Sequence, residues 1–346
     1  MLTAQAREDA IVGCLLGGAV GDALGLPFEG LSRERVARRL GTGALRHSLV
    51  GGRGMISDDT EHACMTGQAL LAAAGRPERF ARSLAWRLRG WLLAGPASVG
   101  WGTLRAIVRL WLGWPPGRSG VRSAGNGPAM RAPILGVCVE EDRLDDVVAR
   151  STLLTHRDPR ALAGALALAR AAARAARGEP AAAVLAAVRR ACDDPELSSA
   201  LAQVQEHLQR GAPPRALAEA LGQASGVSGY IHHTVPVALA CWAAAPRDVA
   251  GAVDAAVRLG GDTDTVAAIA GALAGAAGGP GAIPAAWLAG IWEAPRSVRW
   301  IRGLGRRLAG TSPERTPLGL CWPLFLLRNA VFTAIVLAHG VRRLAR

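Results

Sequence analysis

The chain has 346 residues, half of them apolar but only 4% Phe, Trp or Tyr, with 43 glycines and 20 prolines. Alanine and leucine supply most of the apolar share, which favours closely packed helices and leaves little material for a strand-rich fold. The net charge of +13 is carried by arginine alone, since lysine is absent, and its scattered singles and pairs do not form the dense basic run of a nucleic-acid-binding module.

In chain order, the first predicted helix covers residues 6–24 and ends at the corner Gly25-Leu26-Pro27. The mixed charges before its apolar run (Arg7, Glu8, Asp9) do not fit the positive start of a signal peptide. A short basic helix at 33–40 and a glycine-rich loop follow. The next helix begins at Ser57-Asp58-Asp59-Thr60 and runs to residue 71, with Glu61 placed after Asp58 as in a capping box. Helices are predicted at 77–93 and 102–112, then a loop rich in Gly, Pro, Ser and Asn at 115–133, long enough to suggest function. Further helices are predicted at 144–154, 159–176, 180–192, 197–209, 214–221, 236–242, 249–259 and 265–277, before a Gly/Pro break at 278–284.

No strand alternation, repeat or linker stands out, so the expected fold class is all-α: one helical domain over 1–290 with a C-terminal extension over 291–346. Within the extension, residues 318–327 and 330–338 are apolar, interrupted by Pro323 and by Arg328-Asn329. A terminal helix docked on the body or on a second subunit is expected rather than a membrane anchor; Arg342, Arg343 and Arg346 leave a membrane-surface alternative. Oligomeric state is not indicated. The six cysteines show no C-x-x-C or zinc spacing, as in a reduced, cytoplasmic protein.

Two segments carry chemistry: Ser57-Asp58-Asp59-Thr60 and Gly261-Asp262-Thr263-Asp264-Thr265. Either alone is accounted for as a helix cap. Together they hold four aspartates, two per segment, where a cap needs one side chain and neighbouring carboxylates repel. Hard divalent cations take such carboxylate and hydroxyl oxygens, and a pair of them stands about 3.5–4 Å apart. Zinc is disfavoured, because no histidine or cysteine cluster accompanies the acids.

The run from Gly13 to Gly25 with Glu29 resembles the opening of the ADP-ribosylglycohydrolase family. Ser57-Asp58-Asp59-Thr60 is similar to its first metal motif, with Ser57 where Thr is usual, and Gly260 to Thr265 closely matches its second. Gly125-Asn126-Gly127-Pro128-Ala129-Met130-Arg131-Ala132-Pro133 resembles its substrate loop, and Thr155-His156-Arg157-Asp158-Pro159 its threonine–histidine–proline corner. The resemblance implies an orthogonal helical bundle with two Mg2+ or Mn2+ ions held by Ser57, Asp58, Asp59, Asp262, Asp264 and Thr265. Glu29, Asp58 and Asp59 would be catalytic, with water activation at Asp58 or Asp59 and proton handling at Glu29. Ser123, Gly125, Asn126, Gly127, His156 and Tyr230 would bind substrate; from their place ahead of a predicted helix, Tyr230, His232 and His233 are also candidates to line an adenine pocket. Asp22 would tether groups behind the site, and Asp158 would cap a helix.

The activity so implied is hydrolysis of the bond between ADP-ribose and an acceptor, either a protein side chain or a small conjugate, with nucleic acid only as a modified substrate. Hydrolysis of another ribosyl or nucleotide derivative, or silent ADP-ribose binding, are the alternatives.

Overall fold

A computed structural model describes residues 2–97 and 99–344 of the chain. Its described residues form α-helices joined by loops and 3-10 turns, the longest loops following α2 and α5, and extended pairing among them is confined to isolated bridges. The helices are α1 (Ala4–Gly25), α2 (Arg33–Leu40), α3 (Asp58–Ala73), α4 (Pro77–Leu93), α5 (Trp101–Trp111) and α6 (Ala132–Cys138). Then come α7 (Glu141–Leu153), α8 (Pro159–Ala176), α9 (Ala181–Arg190), α10 (Pro195–Gln209), α11 (Pro214–Ala220) and α12 (Ile231–Ala244). The last are α13 (Val249–Val257), α14 (Thr263–Gly278), α15 (Ala285–Gly290), α16 (Val298–Ala309) and α17 (Trp322–Leu344). The all-α expectation agrees with this architecture.

The core is organised around α1 and α14, which lie antiparallel with their backbones in contact. Glycines recur at every fourth residue of α1, so they share one face. A Cβ at Gly13 would stand 2.0 Å from the Gly275 carbonyl oxygen, one at Gly17 2.1 Å from that of Gly271, and one at Gly21 2.1 Å from that of Ala267. No side chain fits between the helices. That seam fixes which end of α14 meets which end of α1, and so where the acidic start of α14 lies. Around it, α16 packs on α1 with Ile301 and Leu304 fully buried, which makes this part of the 291–346 segment integral to the core.

Several local expectations change. Ser57, not Asp58, caps α3, its hydroxyl accepting from the Asp59 N–H at 3.3 Å. Glu61 forms no capping box. It points inward, where Trp91 Nε1 donates to it at 2.7 Å and Arg296 pairs with it. Helix α12 starts at Ile231 rather than at Pro236, which lies inside it. Proline removes the donor that would meet the His232 carbonyl, a local cost outweighed by the near-complete burial of this helix. The 115–133 loop gives way to a 3-10 turn at Ala129–Arg131 and then to α6, with Pro133 in its first turn. Pro323 likewise begins α17 instead of breaking it, and Arg328-Asn329 face inward, so the two apolar segments are one helix. Arg346 and the side chains of Arg342 and Arg343 lie outside the described part.

Candidate active site

Asp22 is fully buried near the end of α1 and holds the start of α3 in place. Its carboxylate accepts from the Ser57 N–H at 2.9 and 3.0 Å, from the Thr60 N–H at 3.1 Å and from the Thr60 hydroxyl at 2.5 Å. The free N–H groups of a helix start are thus met by an acid from another helix. The start of α14 is fixed from the same helix, where Thr263 Oγ1 donates to the Gly25 carbonyl at 2.9 Å. Gly261 then ties in the remaining loops. Its φ of +80° and its contact with Val227 leave no room for a Cβ. Its N–H donates to the Leu31 carbonyl and its own carbonyl accepts from the Gly30 N–H, both at 2.8 Å. Glu29 is therefore carried beside the second acidic segment.

These constraints open a cleft of about 510 Å³ lined by Glu29, Asp58, Asp59, Asn126, Asp262, Asp264 and Thr265, together with Val99, Gly100, Val227 and Gly229. Ser57 lies beneath the floor, buried, with its hydroxyl donating to Asp59 Oδ2 at 3.3 Å. Thr265 Oγ1 reaches the same oxygen from α14 at 3.2 Å. Asn126 Nδ2 donates to Asp262 Oδ2 at 2.5 Å and to Thr234 Oγ1 at 3.0 Å, joining the central loop to the acidic floor.

The floor is electrostatically crowded. Burial first, and then the neighbouring carboxylates, push Asp58, Asp59 and Asp264 well above the usual carboxylate range. Asp22 rises to about 6, again through burial, with the hydrogen bonds from Thr60 and Ser57 opposing the rise. Asp59 Oδ1 is buried without a hydrogen-bond partner. A cluster of acids with an orphaned carboxylate oxygen and two hydroxyls at hand has the donor set of a hard divalent cation. Among the described residues no three His, Cys, Asp or Glu side chains stand close enough to hold one ion by themselves, so hydroxyls and water would have to complete any coordination sphere.

The other sequence candidates sit around this floor. His156 is buried under the central loop, with its ring close to Gly102, Gly125 and Gly127, and a Cβ on Gly127 would stand 3.0 Å from it; Ser123 lies beside Gly102 and accepts from the Gly125 N–H at 3.3 Å. Burial, and secondarily the Arg131 charge, lower its pKa to about 3, so it is a neutral prop that exchanges a hydrogen bond with Thr155 Oγ1 at 2.9 Å. Asp158 caps α8, accepting from the Arg160 N–H at 3.1 Å. Tyr230 is outside the cleft lining. Its hydroxyl donates to Glu196 and accepts from Arg160, while the loop around it pairs Gly125 with Tyr230. His232 is buried beside Asp194 and Glu196, and His233 bonds Ser228.

Arg131 has a structural part that the sequence reading did not assign. Fully buried, it donates to the Gly127 carbonyl at 3.0 Å, to Ser151 Oγ at 3.0 Å and to Thr155 Oγ1 at 2.7 Å, locking the central loop to the corner that carries His156. An arginine between Ala-Met and Ala-Pro, with apolar residues on both sides, was the available signal.

The ADP-ribosylglycohydrolase family model matches residues 3–317. The chain is 32% identical to an uncharacterized protein of Archaeoglobus fulgidus, over 82% of this chain and 92% of that one. It is 30% identical to the uncharacterized protein YegU of Escherichia coli, over 80% and 90%. It is 29% identical to the ADP-ribosyl-dinitrogen reductase glycohydrolase of Rhodospirillum rubrum, over 86% and 96%. Among solved structures, an ADP-ribosylglycohydrolase-related protein complex superposes with a TM-score of 0.68 and 31% identity, covering 88% of this chain and 98% of that one.

Proposed function

The chain belongs to the ADP-ribosylglycohydrolase family, and from that premise we propose that it hydrolyses the glycosidic bond between ADP-ribose and a modified acceptor with two divalent cations, Mg2+ or Mn2+. The observation that carries the metal reading is Asp59, whose Oδ2 accepts from the hydroxyls of Ser57 and Thr265 while its Oδ1 is buried and unpartnered. Asp58, Asp262 and Asp264 line the same cleft and complete the ligand set.

Bound there, the cations would polarise ribose hydroxyls and make a coordinated water more acidic. The remaining work falls to the chain. Cleavage at the ribose C1 carbon develops positive charge, which the carboxylates of the floor stabilise. Asp58 or Asp59 takes a proton from the attacking water, and Glu29 on the facing loop handles the proton of the leaving group. Asn126, held by Asp262, orients the ribose or diphosphate side of the substrate. The acceptor is an ADP-ribosylated protein side chain or a small ADP-ribosyl conjugate.

The test is release of free ADP-ribose from ADP-ribosylated arginine, serine and nucleic-acid substrates, with Mg2+, with Mn2+ and with chelator. Cation-dependent release from one substrate supports the reading and names the acceptor. Release that chelator leaves untouched refutes the metal assignment. Absence of release from every substrate, alongside tight ADP-ribose binding, refutes the hydrolase assignment in favour of silent binding.

A further inference from the structure

Two helices among the described residues are long and apolar enough to cross a membrane, α1 and α17, and they have the same mean hydropathy. Their surroundings differ. The apolar window of α1 is 94% buried inside the core, whereas that of α17 is 22% buried. The inward side of α17 carries Phe325, Arg328, Asn329 and Phe332, all buried. Its outward side carries Leu324, Leu327, Val331, Leu337 and Val341, all exposed and all apolar. A surface helix ordinarily turns charged residues outward, so this one is inverted relative to water.

The exposed surface continues beyond α17. The Trp322 ring lies against Gly90 of α4, close enough that a Cβ there would stand 3.0 Å from it. Trp86 and Leu93, on the same face of α4 as Gly90, are exposed, as are Trp101 at the start of the neighbouring α5 and Leu112 just past its end. Exposed apolar residues on α17, on the neighbouring α4 and around α5, with several tryptophans among them, mark a binding surface.

Charge decides its partner. Residues 79–139 and 315–346 contain arginines and not one aspartate or glutamate. Two of those arginines lie over exposed indoles, Arg89 over Trp86 at 4.7 Å and Arg109 over Trp114 at 4.9 Å. An apolar face rich in tryptophan, on segments whose only charged residues are arginines, complements a bilayer with anionic headgroups. A second copy of this chain, presenting the same face by a two-fold axis, would set arginine against arginine.

Nor is α17 free to turn and span. Arg328 makes a two-pronged ion pair with Glu293 at 2.8 Å on each prong, Asn329 donates to the Ala94 carbonyl at 2.8 Å, and His339 bonds Arg39 at 3.0 Å. Leaving the body would strand a buried charge in hydrocarbon. We propose that the α17–α4–α5 face seats this protein on an anionic membrane surface, with α17 lying in the plane of the interface.

Flotation of the full chain with vesicles tests this, using phosphatidylcholine alone and phosphatidylcholine mixed with phosphatidylglycerol. The protein should float with the mixed vesicles, come off as salt is raised, and stay behind with phosphatidylcholine alone. Leu327→Gln with Leu337→Gln should weaken partitioning by about tenfold or more, because each side chain gives up an apolar contact. The melting temperature should stay unchanged, since both positions are exposed. Equal flotation on both vesicle types, or on neither, overturns the proposal. So does a dimer by sedimentation velocity that the same double variant dissolves, which would assign the face to a second copy. Binding that resists both salt and alkaline carbonate would mean that α17 crosses the bilayer, and would overturn the in-plane arrangement.

Discussion

Thr265 Oγ1 donates to Asp59 Oδ2 at 3.2 Å, so the first turns of α3 and α14, 206 residues apart in sequence, share one carboxylate oxygen while the other oxygen of Asp59 has no partner. A cation satisfies that arrangement; without one, burial and then the neighbouring carboxylates disfavour the ionised acid. Asp59→Asn should therefore raise stability in chelator, because it removes one of the crowded carboxylates that push Asp58 and Asp264 upward. Wild type should gain about 2.7 kcal/mol at a Mn2+ concentration one-hundred-fold above its dissociation constant, and the variant much less. Thermal denaturation with Mn2+ and with EDTA checks both signs. A variant less stable than wild type in chelator would contradict the cation reading of this oxygen.

The α1–α14 seam predicts opposite outcomes for adjacent glycines. Gly17→Ala would place a methyl group 2.1 Å from the Gly271 carbonyl oxygen and must prise the helices apart. A loss of about 3 kcal/mol or more is expected. Gly18→Ala meets its nearest neighbours at 3.5 Å, an ordinary contact, and should be neutral or stabilising by up to about 1 kcal/mol through helix propensity. Urea unfolding of the two variants separates them.

Behind the site, Arg328 joins Glu293 and also donates to the Ile56 carbonyl, next to Ser57. Arg328→Met leaves Glu293 buried and uncompensated, a loss of about 3–5 kcal/mol. Pairing it with Glu293→Gln should recover part of that loss. ADP-ribose release should fall in Arg328→Met even at temperatures where the fold persists, because the backbone ahead of Ser57 loses an anchor. Unchanged turnover in the folded variant would show that Ile56 is held without Arg328.

His156 gives the pH prediction. Its folded pKa of about 3 lies below the ordinary 6.5, so the unfolded chain takes up the proton first as pH falls. The stability that it contributes is whole above pH 6.5 and declines toward pH 3, by up to about 1.4 kcal/mol per pH unit. The raised carboxylates of the floor act in the opposite direction, so the quantity to measure is the difference between wild type and His156→Gln. That difference should shrink as urea unfolding is taken from pH 7 toward pH 5, at about that slope. A difference independent of pH would mean that His156 titrates normally in the fold.

Much of this protein was legible in its residues taken in order. Alanine and leucine content set the all-α class, and Ser57-Asp58-Asp59 and Asp262-Thr263-Asp264-Thr265 stood out because their acids outnumber what helix caps require. Those are local properties, visible within a few positions of each other. What the sequence misassigned depended on what faced what. Glu61 suited a capping box until Trp91 and Arg296 took its carboxylate. Pro323 and Arg328-Asn329 look like interruptions until their places in the helix are known, one in its first turn and the other two turned inward.

Only the tertiary structure could decide that Asp59 serves both acidic segments, that Arg131 locks the central loop, and that α17 turns an apolar face outward while the equally apolar α1 is buried. Periodicity and composition fix the type of an element, but burial and pairing are properties of contacts between residues hundreds of positions apart. Those contacts exist here because four glycines on one face of α1 let two helix backbones touch, which sets the acidic start of α14 beside that of α3.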